Sequence, residues 1–257
     1  MTVTERFSLA GTHAVVTGAS RGIGRAIALG FAEAGADVAL VGRKQTSLEE
    51  VGRAIESATG RRTLALACHM GEGSAIEAMV DRVLDAWGTI DVLVNNAGTN
   101  PVMAPLTELG EAAWDKIMAV NLKGPFLASA HVIRAMTARG TPGSIINMAS
   151  VGGLDPSPLL GAYSVSKAAL LHLTRALAKE CGAAGIRVNA IAPGLIETRF
   201  AAALIETPAI HDAVLRQTPL GRHGQPEEIV GAALFLASAA SAFMTGQVVV
   251  VDGGSRM

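Results

Sequence analysis

Tyrosine is almost missing from this chain of 257 residues: Tyr163 carries the only phenol. All aromatic residues together make up 4%, so a core has to be built from Ala, Val, Leu and Ile. Two cysteines, Cys68 and Cys181, stand far apart with no C-x-x-C spacing. They read as small buried hydrophobes in a reducing compartment. Neither sign of charge is in excess, with 21 Lys and Arg against 22 Asp and Glu. That balance gives no electrostatic case for nucleic acid or for an anionic membrane. No apolar run approaches the roughly 18 residues of a membrane span, and the opening MTVTERFSLAG lacks the apolar segment of a signal peptide. The six histidines show no H-E-x-x-H and no clustering with carboxylates, so no metal is expected. These absences point to a cytoplasmic protein whose partner is a small molecule, with no nucleic acid and no membrane.

What the chain has is glycine, 29 residues of it, too much for a plain helix bundle and suited to many tight strand-to-helix turns. Short aliphatic runs (13–18, 37–42, 63–69, 90–98, 144–150, 186–194 and 246–254) alternate with helical patterns (24–35, 46–58, 74–88, about 111–137, about 162–181 and 226–239). Continuous apolar strands separated by helices indicate βαβ units around a parallel sheet covered on both faces. The expected fold class is α/β, one doubly wound, Rossmann-type parallel sheet. No linker or repeat interrupts residues 1–257, which read as a single domain.

The first strand ends in TGASRGIG, residues 17–24. Gly18, Gly22 and Gly24 allow a tight turn and close backbone approach, and the helix that follows offers unpaired N–H groups to a phosphate. The same stretch matches G-x-S-x-G through Ser20, the pattern of a hydrolase nucleophile elbow. Only one strand precedes Ser20, so no earlier loop can supply an oxyanion hole, and that reading fails. Further on, GAYSVSKAAL places Lys167 four residues after Tyr163, on one face of a helix. A phenol with pKa near ~10 is a poor base at neutral pH. A neighbouring cation is expected to lower it toward the range of efficient acid–base catalysis. Val165, Ala168, Ala169, Leu173, Ala176 and Leu177 are expected to turn another face of this helix to the core.

T-G-x-x-x-G-x-G after the first strand, NNAG at 95–98, and Tyr163-x-x-x-Lys167 with Ser150 thirteen residues earlier together resemble the short-chain dehydrogenase/reductase family. The likeness runs from residue 8 to 254. It implies that Tyr163 donates or accepts the proton, that Lys167 tunes it and holds the cofactor ribose, and that Ser150 hydrogen-bonds the substrate oxygen. Asn121 matches the asparagine that kinks the long helix and carries a water-linked proton relay. Further cofactor contacts implied are Gly18, Ser20, Arg21, Gly22, Ile23, Gly24, Asn96, Gly98, Pro193, Gly194, Ile196 and Thr198. The segment from about 195 to 220 is expected to be a substrate lid, rich in Ala and Leu. Tetramers are common in the family, and GQVVVVDGG is too apolar for an exposed edge strand, so a homotetramer is expected.

Cofactor choice rests on the end of the second strand, where an acidic side chain would accept from a 2′-hydroxyl and an Arg would accommodate a 2′-phosphate. Here Gly42 holds the acidic position and Arg43 follows, with Arg21 in reach of the same corner. Arginine suits bidentate phosphate contact, so NADP(H) is expected. One departure from the family pattern is His69–Met70 where an Asp usually meets the adenine. The favoured activity is an NADPH-dependent reductase of a ketone or aldehyde, reversible as an alcohol dehydrogenase. The alternatives are a 3-oxoacyl-thioester reductase docking a carrier protein through Arg134, Arg139 and Lys179, and a non-catalytic NADP(H)-binding sensor or scaffold.

Overall fold

In the computed structural model the aliphatic runs form seven strands: β1 His13–Thr17, β2 Asp37–Gly42, β3 Thr63–Ala67, β4 Val92–Asn95, β5 Gly143–Met148, β6 Ile186–Pro193 and β7 Val248–Val251. The described residues are 1–256; Met257 lies outside them, as do the side chains of Ala203 and Ile210 in the expected lid. The strands make one sheet in the order β3-β2-β1-β4-β5-β6-β7, with every neighbouring pair parallel. The chain winds outward from β1 to β3 and then returns to lay β4 on the other side of β1. That reversal opens a crevice at the carboxyl ends of β1 and β4, where open α/β sheets bind ligands.

Helices α1 Gly22–Glu33, α2 Gln45–Thr59, α3 Gly73–Trp87, α4 Glu111–Met118, α5 Gly124–Arg139, α6 Gly161–Cys181, α7 Ala202–Ile205, α8 Pro208–Arg216 and α9 Val230–Ala237 connect the strands. Strand side chains alternate between two cores. On one face Val16, Leu40, Val94 and Ile146 pack with Ile27 and Phe31 of α1 and Leu236 of α9. On the other, Val15, Val41, Leu93 and Ile145 pack with Ile76 and Val80 of α3 and Val132 and Met136 of α5. Each aliphatic side chain buried in this way contributes about 1.5–3 kcal/mol. Cys68 and Cys181 are both buried and unpaired.

Three expectations change. The long helix about 111–137 is two helices joined by a π-helical turn over Ala119–Lys123, with Asn121 inside the widened turn. The tail helix 226–239 begins as a 3-10 turn over Pro226–Ile229, capped reciprocally by Gln225 and Glu228, and continues as α9 only to Ala237. On α6, Leu177 is buried, but Val165 and Ala168 are exposed and Ala169, Leu173 and Ala176 are half-buried. The inward face carries Ser166, Lys167, Leu170, Leu171 and Thr174 instead. Polar residues can occupy it because the core supplies partners: Asn147 Nδ2 donates to Thr174 Oγ1 at 2.9 Å, and Asn121 reaches Ser166.

No helix among the described residues is long and apolar enough to cross a membrane. β7 closes one edge of the sheet, with Val250 on its outside exposed.

Candidate active site

β1 delivers the chain into the glycine turn, and two close approaches decide how the cleft is shaped. A Cβ on Gly24 would stand 2.4 Å from the Gly18 carbonyl and 2.5 Å from Asn96 Nδ2, so only glycine lets α1 start against the β4 loop. A Cβ on Gly153 would stand 2.7 Å from the backbone of Lys167, so the turn after β5 lies directly on α6. Thr17 ties the first of these regions together. Its hydroxyl donates to Val94 O and accepts from the Asn96 and Ala97 N–H groups at 2.9 and 3.0 Å, holding the NNAG loop beside the glycine turn.

The resulting cleft has a volume of about 920 Å³. The glycine turn from Gly18 to Gly24, with Ser20, Arg21, Gly22 and Ile23, lines one end. Arg43, His69 and Met70 line that end too, and Asn96 and Gly98 lie nearer the centre. Ser150, Tyr163, Lys167, Pro193, Gly194, Ile196 and Thr198 complete the expected set on its walls. Asn121 alone of the sequence-derived residues does not line the cleft. Its side chain is buried behind the wall and spent on Thr99 and Ser166, so a relay through this residue has only its backbone to use.

The donor set suits a dinucleotide carrying an extra phosphate. Arg21 and Arg43 are exposed on the same cleft and neither makes a side-chain ion pair among the described residues. Guanidinium groups on the wall of one cleft suit a bidentate phosphate partner. Thr198 Cγ2 comes within 3.2 Å of where a Gly22 Cβ would stand, which brings this threonine over the glycine turn. His69 Nδ1 accepts from the Gly71 N–H at 3.2 Å, so the imidazole that replaces the usual Asp is held at the cleft edge by its own turn. Among the described residues no group of three or more His, Cys, Asp or Glu is arranged to hold a metal ion.

At the chemical end, Ser150 ends the stretch after β5, and its Oγ caps the following turn by accepting from Gly152 N at 3.1 Å. Lys167 Nζ donates to the Met148 carbonyl at 2.6 Å and lies 5.6 Å from the centre of the Tyr163 ring. This corrects the expected tuning. Burial pushes the Tyr163 phenol up to about 12, with the Ser150 hydrogen bond pulling the other way. Burial also brings the Lys167 ammonium down to about 8. The lysine's hydrogen bond goes to the Met148 carbonyl, and it is desolvation that sets the phenol.

Several lining residues were not singled out from the sequence. Phe200 places its ring 5.6 Å from that of Tyr163, tilted by 42°. Val102, Met103, Leu160, Leu204 and Val214 add apolar surface, and Ser255 and Arg256 add polar groups beside Arg199, a charged exception already expected in the lid. Phe200 follows Thr198 by two residues inside the expected lid, so its position was open to inference. Ser255 and Arg256 had no local signal. Arg256 reaches the cleft because it pairs with Asp155, 101 positions away. Arg139, considered for docking a partner, donates to the Gly88 carbonyl at the end of α3.

A glycine turn at the switch point of a doubly wound sheet, opening on a cleft that holds a serine, a tyrosine and a lysine, defines a Rossmann-type oxidoreductase. Similarity to known proteins agrees. A family model described as enoyl-(acyl carrier protein) reductase matches residues 18–256. Dehydrogenase/reductase SDR family member 4 of Oryctolagus cuniculus is 40% identical over 253 residues, 98% of this chain and 96% of the relative. Gluconate 5-dehydrogenase of Gluconobacter oxydans is 40% identical over 248 residues, 96% of each. The crystal structure of a gluconate 5-dehydrogenase from Burkholderia cenocepacia, in complex with NADP and tartrate, superimposes with a TM-score of 0.94 at 38% identity, covering 99% of this chain and 98% of the other. The chain belongs to the short-chain dehydrogenase/reductase family and is an oxidoreductase acting on CH–OH and C=O groups.

Proposed function

We propose that this protein is an NADP(H)-dependent carbonyl reductase, reversible as an alcohol dehydrogenase. The observation that carries the reading is one cleft with Arg21 and Arg43 at one end and Ser150, Tyr163 and Lys167 at the other. Arg21 and Arg43 hold the 2′-phosphate, the turn Gly18–Gly24 and the start of α1 hold the pyrophosphate, and Lys167 holds the ribose hydroxyls. Bound NADP(H) supplies or accepts the hydride. The Ser150 hydroxyl donates to the substrate oxygen and polarises the carbonyl. The Tyr163 phenol, protonated at neutral pH, gives its proton to that oxygen as the carbonyl is reduced and takes it back in oxidation. The Asn121 backbone carries a water-linked path that returns a proton to Lys167. Residues 195–220 form a lid over this chemistry within a single domain, and the exposed edge of β7 is covered in a homotetramer.

The apolar wall of Val102, Met103, Leu160, Phe200 and Leu204 favours a ketone or aldehyde with a hydrophobic substituent. A second reading, a dehydrogenase of a polyhydroxy acid, is favoured by Arg199 and Arg256 on the same cleft, since guanidinium groups suit a substrate carboxylate, and by the gluconate dehydrogenases among its relatives. With Arg139 engaged at Gly88, docking of an acidic carrier protein has less to rest on. NADPH oxidation over a panel of aryl and alkyl ketones, keto-acids of sugars and an acetoacetyl-thioester separates these. Loss of activity in Tyr163→Phe with NADPH binding retained supports catalysis. A protein that binds NADPH and reduces nothing in the panel sinks it in favour of a sensor or scaffold.

A further inference from the structure

Behind the wall of the cleft runs an unbroken set of buried and half-buried hydrogen bonds. The Thr99 N–H donates to Asn121 Oδ1 at 2.8 Å, and Asn121 Nδ2 donates to the Thr99 carbonyl at 2.9 Å and to Ser166 Oγ at 3.1 Å. The Ser166 hydroxyl in turn donates to the Tyr163 carbonyl at 2.7 Å. Asn121 and Ser166 are both fully buried and neither lines the cleft, whereas Thr99 and Tyr163, the two ends of the chain, do.

Each link uses up its donors. Both N–H bonds of the Asn121 amide are engaged, and Ser166 accepts one hydrogen bond while donating its single proton. The amide can reach across because Asn121 sits in the π-helical turn between α4 and α5, a local widening of a helix often found at functional sites. A serine one turn into a helix that bonds back to a preceding carbonyl gains little for the helix itself. Alanine serves α6 at Ala162, Ala168 and Ala169, so helix formation does not account for a hydroxyl at 166. Its geometry is explained by what it joins: the backbone of the loop following NNAG and the backbone of the residue that carries the phenol.

We infer that Ser166 is a positioning residue for the reaction, coupling the cofactor side of the cleft to Tyr163 through Asn121. The inference rests on the functional reading above, in that Tyr163 is taken as the proton donor. A dinucleotide bound against Gly98 and Thr99 would then act, through the Asn121 amide, on the helical turn that carries the phenol toward Ser150 and Lys167. Removing the Ser166 hydroxyl leaves an Asn121 N–H unpaired and leaves the Tyr163 carbonyl with its helical bond alone, so the loop and the phenol no longer move together.

The experiment uses the whole protein and four variants: Ser166→Ala, Ser166→Thr, Asn121→Ala and the double variant with both alanines. Because the chain has a single tyrosine, phenolate absorbance against pH reports Tyr163 without any turnover. Wild type is expected to show a change in that titration midpoint when NADP⁺ is added, and Ser166→Ala to lose most of the change. In the same variant kcat falls about tenfold to a hundredfold, the scale of a small misplacement of a reacting group, while KM for the carbonyl stays within about twofold. Ser166→Thr restores kcat and the NADP⁺-linked change in part or in full. Ser166→Ala and Asn121→Ala together cost no more than the larger single effect, as for two members of one network. The inference is overturned if Ser166→Ala keeps the wild-type kcat and NADP⁺-linked change. It is overturned equally if kcat falls only in proportion to the folded fraction, or if the two alanine effects multiply independently. Failure of the functional reading looks different. Wild type then reduces no carbonyl, while the NADP⁺-linked change and its loss in Ser166→Ala are still measurable.

Discussion

Lys167 Nζ donates to the carbonyl of Met148 at 2.6 Å, at the end of β5 and beneath the only tyrosine of the chain. Burial holds the ammonium near 8 and the Tyr163 phenol near 12. At neutral pH the lysine is therefore charged and the phenol protonated, the pair of states that carbonyl reduction needs. The reductive kcat/KM is expected to be level through neutral pH and to fall as pH rises through about 8, where Lys167 loses its charge. Oxidation, which needs the phenolate, climbs with pH instead. Rate profiles in both directions check this, and a reductive rate still climbing well above that value would contradict it.

The same burial makes Lys167 costly to the fold. Its ammonium ionises at 10.5 in an unfolded chain and at about 8 here, so folding below that range confines a charge that water would hold better. Lys167→Met is expected to abolish activity yet raise stability at pH 7 by up to about 3 kcal/mol. The lost hydrogen bond to Met148 takes back about 1 kcal/mol of this. The advantage should fade as pH rises from about 8 to 10.5 and be gone above that, where the lysine is neutral in both states. Thermal unfolding of both proteins at the two pH values tests the sign.

Arg43 stands at the end of β2 with no ion pair among the described residues, facing the same cleft as Arg21. A charge-assisted hydrogen bond of this kind is worth about 1.5–3 kcal/mol. Arg43→Ala should therefore cut the NADPH-over-NADH preference in kcat/KM by about tenfold to a hundredfold. The loss should fall on NADPH, leaving NADH nearly unchanged. An unaltered ratio would remove Arg43 from the phosphate site.

Asp37 opens β2 and is buried, accepting from Arg62 Nε and Nη2 at 2.8 and 2.6 Å and pairing with Arg61 at 2.6 Å. Burial works to raise its carboxyl, but the Arg62 hydrogen bonds and the two guanidinium charges outweigh it and leave the group below 3.8. Its contribution to stability is complete above 3.8 and is lost as pH falls through the lower folded value. Asp37→Asn should cost about 1–3 kcal/mol at neutral pH, since both arginines reach solvent and can be rehydrated. The gap between variant and wild type should narrow in strong acid. Urea midpoints at neutral and acid pH measure both effects.

Phe200 covers Tyr163 at a ring distance of 5.6 Å and is itself 53% exposed. Phe200→Ala takes the apolar cover from the phenol without touching the cofactor end. Bulky ketones should gain in kcat/KM relative to small ones, and NADPH affinity should hold within about twofold. A ratio that does not move would place substrate selection elsewhere on the cleft wall.

Local pattern made most of this molecule legible. Aliphatic runs ending in glycine became parallel strands because a strand buried on both faces has no place for polar alternation. The glycine turn, NNAG, Ser150, Tyr163 and Lys167 were readable because each chemistry-bearing residue sits at an element's end or at a fixed helical spacing. The inward face of α6 was misread. Periodicity counts apolar residues, whereas Ser166 and Thr174 are buried on bonds to Asn121 and Asn147 that come from α4–α5 and β5.

By itself, then, the sequence of this protein determined the doubly wound sheet, the glycine turn after β1 and the spacing that sets Tyr163 and Lys167 on one helix. Those follow from local periodicity and spacing. Only the tertiary structure decided that desolvation raises the Tyr163 phenol and lowers the Lys167 ammonium, because burial depends on everything packed around the pair. It also decided that Asn121 lies behind the cleft and that Phe200 and Arg256 reach it. Those contacts join segments distant along the chain, and no local pattern records them.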